Sequence, residues 1–186
     1  MILGMARDSG AQLLGGVVPT DKETTDGSDI GGLSRAVSTR TQQVAAYWRE
    51  LRGDRPFPAW SDVDLLAIYD LARNVSVVDV EGTGASARFR YRFVGTALVD
   101  YRTSLEFPDP TGRWFDAVEH HVSTDLIVES YRNVVATQVP RLLGASRNLT
   151  ERHRASERAI LPLGPGGDAV DKLMVCVQRL AHDDDL

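Results

Sequence analysis

Arg88-Phe89-Arg90-Tyr91-Arg92-Phe93 alternates arginine with aromatic residues without a break. A period of two sends successive side chains to opposite faces of a strand, so this run predicts a β-strand with aromatics inward and arginines outward. Just upstream, Val75-Ser76-Val77-Val78-Asp79-Val80 reads as a second strand. Glu81-Gly82-Thr83-Gly84 supplies the turn between them, and the two strands form a hairpin.

Downstream of the hairpin, Gly95 ends the strand and Thr96 to Tyr101 predicts a short helix, followed by a proline-rich loop from Phe107 to Gly112. A longer helix is predicted from Ser123 to about Thr137. Its stripe is Leu126, Ile127, Val134 and Val135, with Tyr131 beside it. Residues 140–143 predict a short strand, and two longer strands follow near 151–162 and 169–180, joined by Gly164-Pro165-Gly166-Gly167-Asp168. In the last strand Leu173, Val175 and Val177 face one way and Met174 and Cys176 the other. A strand apolar on both faces belongs in the middle of a sheet.

Upstream of the hairpin, Val37, Val44, Tyr47, Trp48 and Leu51 mark one face of a helix. Ser38 or Thr39 caps its start and Gly53 stops it, giving a helix over 38–52. Ser61-Asp62-Val63-Asp64 resembles a capping box and predicts a second helix through about Ala72. Strands in two groups around helices, linked by hairpins, imply an α+β fold: an antiparallel sheet with helices on one face.

The chain has 186 residues, enough for one domain that buries roughly 70% of its unfolded surface without a disulfide or metal staple. Its single cysteine, Cys176, excludes an intrachain disulfide and any multi-cysteine metal site; on a central strand it reads as a buried small hydrophobe. Against 21 Lys and Arg stand 26 Asp and Glu, and a net charge of −5 lacks the basic excess of a nucleic-acid binder. No run approaches the ~20 apolar residues of a membrane span, and Met1-Ile2-Leu3-Gly4-Met5-Ala6-Arg7-Asp8 has no signal-peptide pattern. The cytoplasm is the expected location. Residues 1–36 hold seven of the 16 glycines and no aromatic, so a disordered leader or a later true start is expected there. The domain then spans 37–182, and 183–186 is an acidic tail.

Several side chains are candidates for function. Phe89, Tyr91 and Phe93 face inward and are fit to line an apolar pocket; Tyr101, Trp114 and Tyr131 add large faces with one polar handle each. The stripe Arg88, Arg90 and Arg92 suits an anion, but the simpler reading is a solvated sheet face with partners among Glu157, Glu151 and Asp79. Arg92, nearest the strand end, is the one expected to bond inward. His120-His121 near Asp116 suggests an acid–base pair or one haem ligand. Adjacent helical residues diverge by about 100°, so one metal cannot use both, and a structural role is preferred. The stripe Val44, Tyr47, Trp48 and Leu51 is a candidate homodimer interface.

The element order resembles a PAS domain, and more closely a divergent PAS subfamily found mainly in alphaproteobacteria and once classed only as a domain of unknown function. The resemblance is carried by Tyr47-Trp48-Arg49-Glu50-Leu51-Arg52-Gly53 with Pro56, Ser61-Asp62-Val63-Asp64, and Phe89-Arg90-Tyr91-Arg92-Phe93-Val94-Gly95-Thr96. Thr111-Gly112-Arg113, Tyr131-Arg132 before Pro140, and Glu157-Arg158-Ala159-Ile160-Leu161-Pro162-Leu163 extend it over about 44–180. It implies a five-stranded antiparallel sheet framing a small-molecule pocket, a sensory or adaptor role in bacterial signalling, and no catalysis. The ligand, cofactor and protein partner stay unnamed, haem is not expected, and the signal is expected to leave through another protein. Two alternatives remain: a dimerisation module with a filled core, and a small α+β enzyme using His120 or His121 with Asp116.

Overall fold

The computed structural model describes residues 30–120, 124–144 and 156–180. Five antiparallel strands form one sheet in the order β2-β1-β5-β4-β3, with β1 Val75–Glu81, β2 Arg88–Val94, β3 Arg141–Leu143, β4 Ser156–Leu163 and β5 Lys172–Arg179. The fold is therefore the α+β architecture expected, and β5 lies at the centre, flanked by β1 and β4. Its residues Leu173 to Cys176 are completely buried, as an apolar pattern on both faces requires.

Helix α1, Thr39–Arg52, starts at Ser38, whose Oγ accepts from the Thr41 N–H at 3.5 Å, and ends at Gly53 with φ 55°. It packs on β4 and β5, burying Val44, Ala45 and Trp48. The Trp48 indole donates Nε1–H to the Pro162 carbonyl at 2.9 Å, so the ring is fixed to the sheet at its polar edge too. We call this side of the sheet the outer face. Helix α3, Thr96–Ser104, and α4, Asp125–Thr137, cover the inner face, where Tyr101 of α3 meets Arg179 and Tyr131 of α4 meets Phe89.

Three expectations need correction. Residues 61–72 are not one helix: Trp60–Asp62 is a 3-10 turn, and only α2, Tyr69–Ala72, is helical. The Asp64 carboxylate accepts from the N–H groups of Leu66 and Ala67, closing a local turn, while Leu66 and Tyr69 stay exposed. The leader boundary also moves. Ile30–Arg35 forms a 3-10 segment against β3, with Leu33 buried and Gly31 too close to the Pro140 carbonyl for any Cβ. Residues 1–29 and the tail 183–186 lie outside the described residues.

The third correction concerns β2. Val77 pairs with Phe93 but Val78 pairs with Tyr91, so Arg92 is the extra residue of a β-bulge. Neighbouring residues of β1 point to opposite faces. The slip therefore leaves Phe89 and Tyr91 on the inner face and turns Phe93 to the outer face with Val77 and Met174.

Candidate functional site

The inner face holds a cluster of rings. Phe115 is its hub, with centroids 5.5 Å from Tyr91, 5.7 Å from Tyr131 and 4.3 Å from the His120 imidazole. Phe89 meets Tyr131 edge-on at 5.2 Å. Each partner comes from a different element: β2 supplies Phe89 and Tyr91, the 3-10 turn Phe115–Ala117 supplies Phe115, and α4 supplies Tyr131. The segment before Phe115 is fastened along β2, since the Tyr91 N–H donates to Arg113 O and the Tyr91 carbonyl accepts from Gly112 N–H at 2.7 Å.

Electrostatics give this cluster a polar rim. Arg158 of β4 and Arg179 of β5 project from the inner face, diagonal neighbours across the strand pair. The Arg158 charge acts on Tyr91, Tyr131 and His120, and the Arg102 charge on Tyr91 and His120. Burial raises both phenols above their ordinary value, with Tyr131 adding to the effect on Tyr91. Burial also lowers the imidazole of His120, against the opposing pull of its bond to the Phe115 carbonyl at 2.9 Å. Both tyrosines are held as neutral O–H groups, and the histidine favours its neutral form. No hydrogen bond among the described residues engages either phenol oxygen, each of which has one O–H to donate and lone pairs to accept.

Arg102 is tied down by protein groups, donating Nε–H to Pro108 O at 3.2 Å and Nη2–H to Glu119 O at 3.1 Å. Arg158 and Arg179 have no such hydrogen bonds among the described residues: each has a buried Nε with no hydrogen-bond partner, although Arg179 lies 4.2 Å over the Tyr101 ring.

The outer side of β2 is different. Arg92 Nε donates to Asp79 at 2.6 Å, Arg90 lies 3.6 Å from Asp79 and 3.7 Å from Glu81, and Arg88 pairs with Asp116 at 3.1 Å. Trp114 bridges to Arg90 and stacks under Arg88 at 4.1 Å. The alternating arginines thus form a solvated face satisfied by its own carboxylates.

Of the predicted pocket residues, Phe89, Tyr91 and Tyr131 come together, while the Tyr101 ring lies under Arg179. Phe93, Arg92 and Trp114 do not join them: the bulge reverses Phe93, Asp79 holds Arg92, and Trp114 sits against the outer arginines. The acid–base pair is not assembled, because Asp116 is exposed on Arg88 while His120 turns to Phe115; His121 lies outside the described residues.

In the interface set, Val44 and Trp48 are buried against their own sheet, which removes them from any surface a second subunit could meet. Tyr47 and Leu51 are half-buried, and the Tyr47 hydroxyl accepts from Asp64 N–H at 2.8 Å. Glu157, expected as a surface partner for β2, is instead buried on the outer face. Its carboxylate accepts from Val37 N–H at 2.6 Å and Ser38 N–H at 3.2 Å, at the start of α1. Glu151 lies outside the described residues.

Sequence reading missed Phe115, Arg158, Arg179 and Arg102 as site residues. Only Arg158 carried a signal: its place on a strand otherwise apolar toward the core, in Arg158-Ala159-Ile160-Leu161. Among the described residues no group of three or more His, Cys, Asp or Glu is placed to hold a metal, and no helix is long and apolar enough to cross a membrane. No curated protein matches the sequence. A family model described as a PAS domain matches residues 36–177.

Proposed function

The chain belongs to the PAS domain family, a family of signalling and sensory modules, and on that premise we propose that it is a non-enzymatic sensor or adaptor whose inner face takes a small amphipathic ligand. The observation that carries this reading is the ring cluster of Tyr91, Phe115, His120 and Tyr131 with both phenol oxygens unengaged among the described residues. An apolar lining with a few convergent polar groups is what small-molecule sites require. The α1 helix is the natural relay, since it rests on the opposite face of the same sheet. A ligand biases such a relay only through different affinity for two arrangements of the protein.

Native mass spectrometry of freshly purified protein, compared with its denatured mass, tests the reading. An added mass that vanishes on denaturation supports a ligand site. A bare protein refutes a tightly held ligand and leaves the adaptor role, which a partner pull-down then examines.

A further inference from the structure

We propose that the inner-face site is selective for a small organic acid, its carboxylate on Arg158 and its apolar body against Phe115, Tyr91 and Tyr131. The inference rests on the ligand-site reading and adds the chemical class.

The arginines on the two faces of the sheet differ in their partners. On the outer side every arginine of β2 has a carboxylate within 4 Å: Asp116 for Arg88, Asp79 and Glu81 for Arg90, Asp79 for Arg92. On the inner face no ion pair among the described residues engages Arg102, Arg158 or Arg179. Acidic residues of the covering elements, Asp100, Glu119, Asp125 and Glu129, are all exposed. Arg102 meets backbone carbonyls, whereas Arg158 keeps a buried Nε–H without an acceptor. A half-buried guanidinium with no anion among the described residues is unfavourable for the empty protein and ready for a ligand carboxylate, which it binds through two parallel N–H donors. Arg179, about 7–8 Å away in such a diagonal cross-strand pair, adds to the positive field. The phenol O–H groups of Tyr91 and Tyr131, held neutral, supply further donors on the ring side.

The test measures thermal stabilisation of the full chain by benzoate and by its neutral isostere benzamide, at constant ionic strength. Benzoate at ten times its Kd is expected to raise Tm by about 3–5 °C, and benzamide much less. Arg158→Met, which keeps the aliphatic stem, should lose the benzoate response, while Arg158→Lys retains part of it. Equal responses to acid and amide, or a benzoate response surviving in R158M, overturn the acid assignment and leave the ligand site standing. Silence with both probes overturns the assignment as well, and the native mass spectrum then decides the fate of the site itself. One arm needs no probe. An Arg158 with no ionic partner among the described residues contributes little to folding, so ligand-free R158M should melt within about 2 °C of wild type or above it. A loss of more than about 5 °C would make Arg158 a structural cation and refute the proposal.

Discussion

Replacing Glu157 with alanine tests how α1 is held to the sheet. The carboxylate is 1% exposed and receives two backbone N–H groups, from Val37 at 2.6 Å and Ser38 at 3.2 Å. Hydrogen bonds to a charged group contribute about 1.5–3 kcal/mol each, and an anion at a helix N-terminus adds roughly 0.3–1 kcal/mol. Part of that sum returns in the variant, because Val37 is 73% exposed and water reaches its freed N–H. The net loss for Glu157→Ala is therefore about 2–4 kcal/mol. At roughly 2–4 °C per kcal/mol for a domain of this size, Tm falls by about 6–12 °C for a loss near 3 kcal/mol. Glu157→Gln keeps one acceptor oxygen but no charge, and its loss should be about half as large. Urea and thermal melts read the stability, and amide hydrogen exchange at Val37 and Ser38 reads the contact itself. An E157A protein melting within 1 °C of wild type, with exchange at both amides unchanged, would show that the carboxylate does not anchor the helix.

Three further outcomes follow from the packing. Trp48→Phe keeps a buried ring but deletes the indole donor and leaves the Pro162 carbonyl unsatisfied, so urea melts should show a loss of about 1–3 kcal/mol; an unchanged midpoint would refute the role of that bond. Burial pushes the Cys176 thiol up to about 11, so the native protein should react with a disulfide reagent at neutral pH only as fast as it unfolds; rapid native labelling would contradict its central position. Because burial lowers His120 from 6.5, the unfolded chain takes up a proton below that pH that the native state resists. Stability should decline as pH falls below about 6.5, and His120→Gln should flatten that slope. A slope identical in the variant would assign it to other groups.

Local signals were readable wherever a backbone feature has a residue-level cause. Ser38 and Gly53 bound α1 as caps, and the two-sided apolar pattern of β5 places it centrally. The PAS-like order supplied the sheet, which period and turns alone left open to other α+β arrangements. The failures have physical reasons too. An Asx turn at Asp64 competes with the helix that 61–72 would form, and no propensity scale weighs that one side chain. The bulge at Arg92 lies inside flawless alternation, so nothing in the composition of β2 betrays that Phe93 reverses. Phe115, Arg158 and Glu157 matter through partners up to 24, 67 and 120 positions away, and such contacts exist only once the sheet is assembled. The arginine stripe drew attention as an anion site because it is regular. Regularity there reflects ion pairing with Asp79 and Glu81, while the inner-face arginines, with no ion pair among the described residues, are irregularly spaced along the chain.

Glu157 and Arg158 are consecutive residues of β4, one gripping the two residues that lead into α1 and the other on the inner face with the ring cluster. A single peptide plane thus separates the clasp on one side of the sheet from the charge on the other. Leu143 on β3 and Val177 on β5 pair with Arg158 on its two flanks, so both side chains hang from one backbone segment held on each side. Under the proposed acid site, a shift of the guanidinium toward a ligand would act through this peptide on the Glu157 contacts to Val37 and Ser38. On that reading, the step from the inner face to the α1 relay spans only the thickness of one strand.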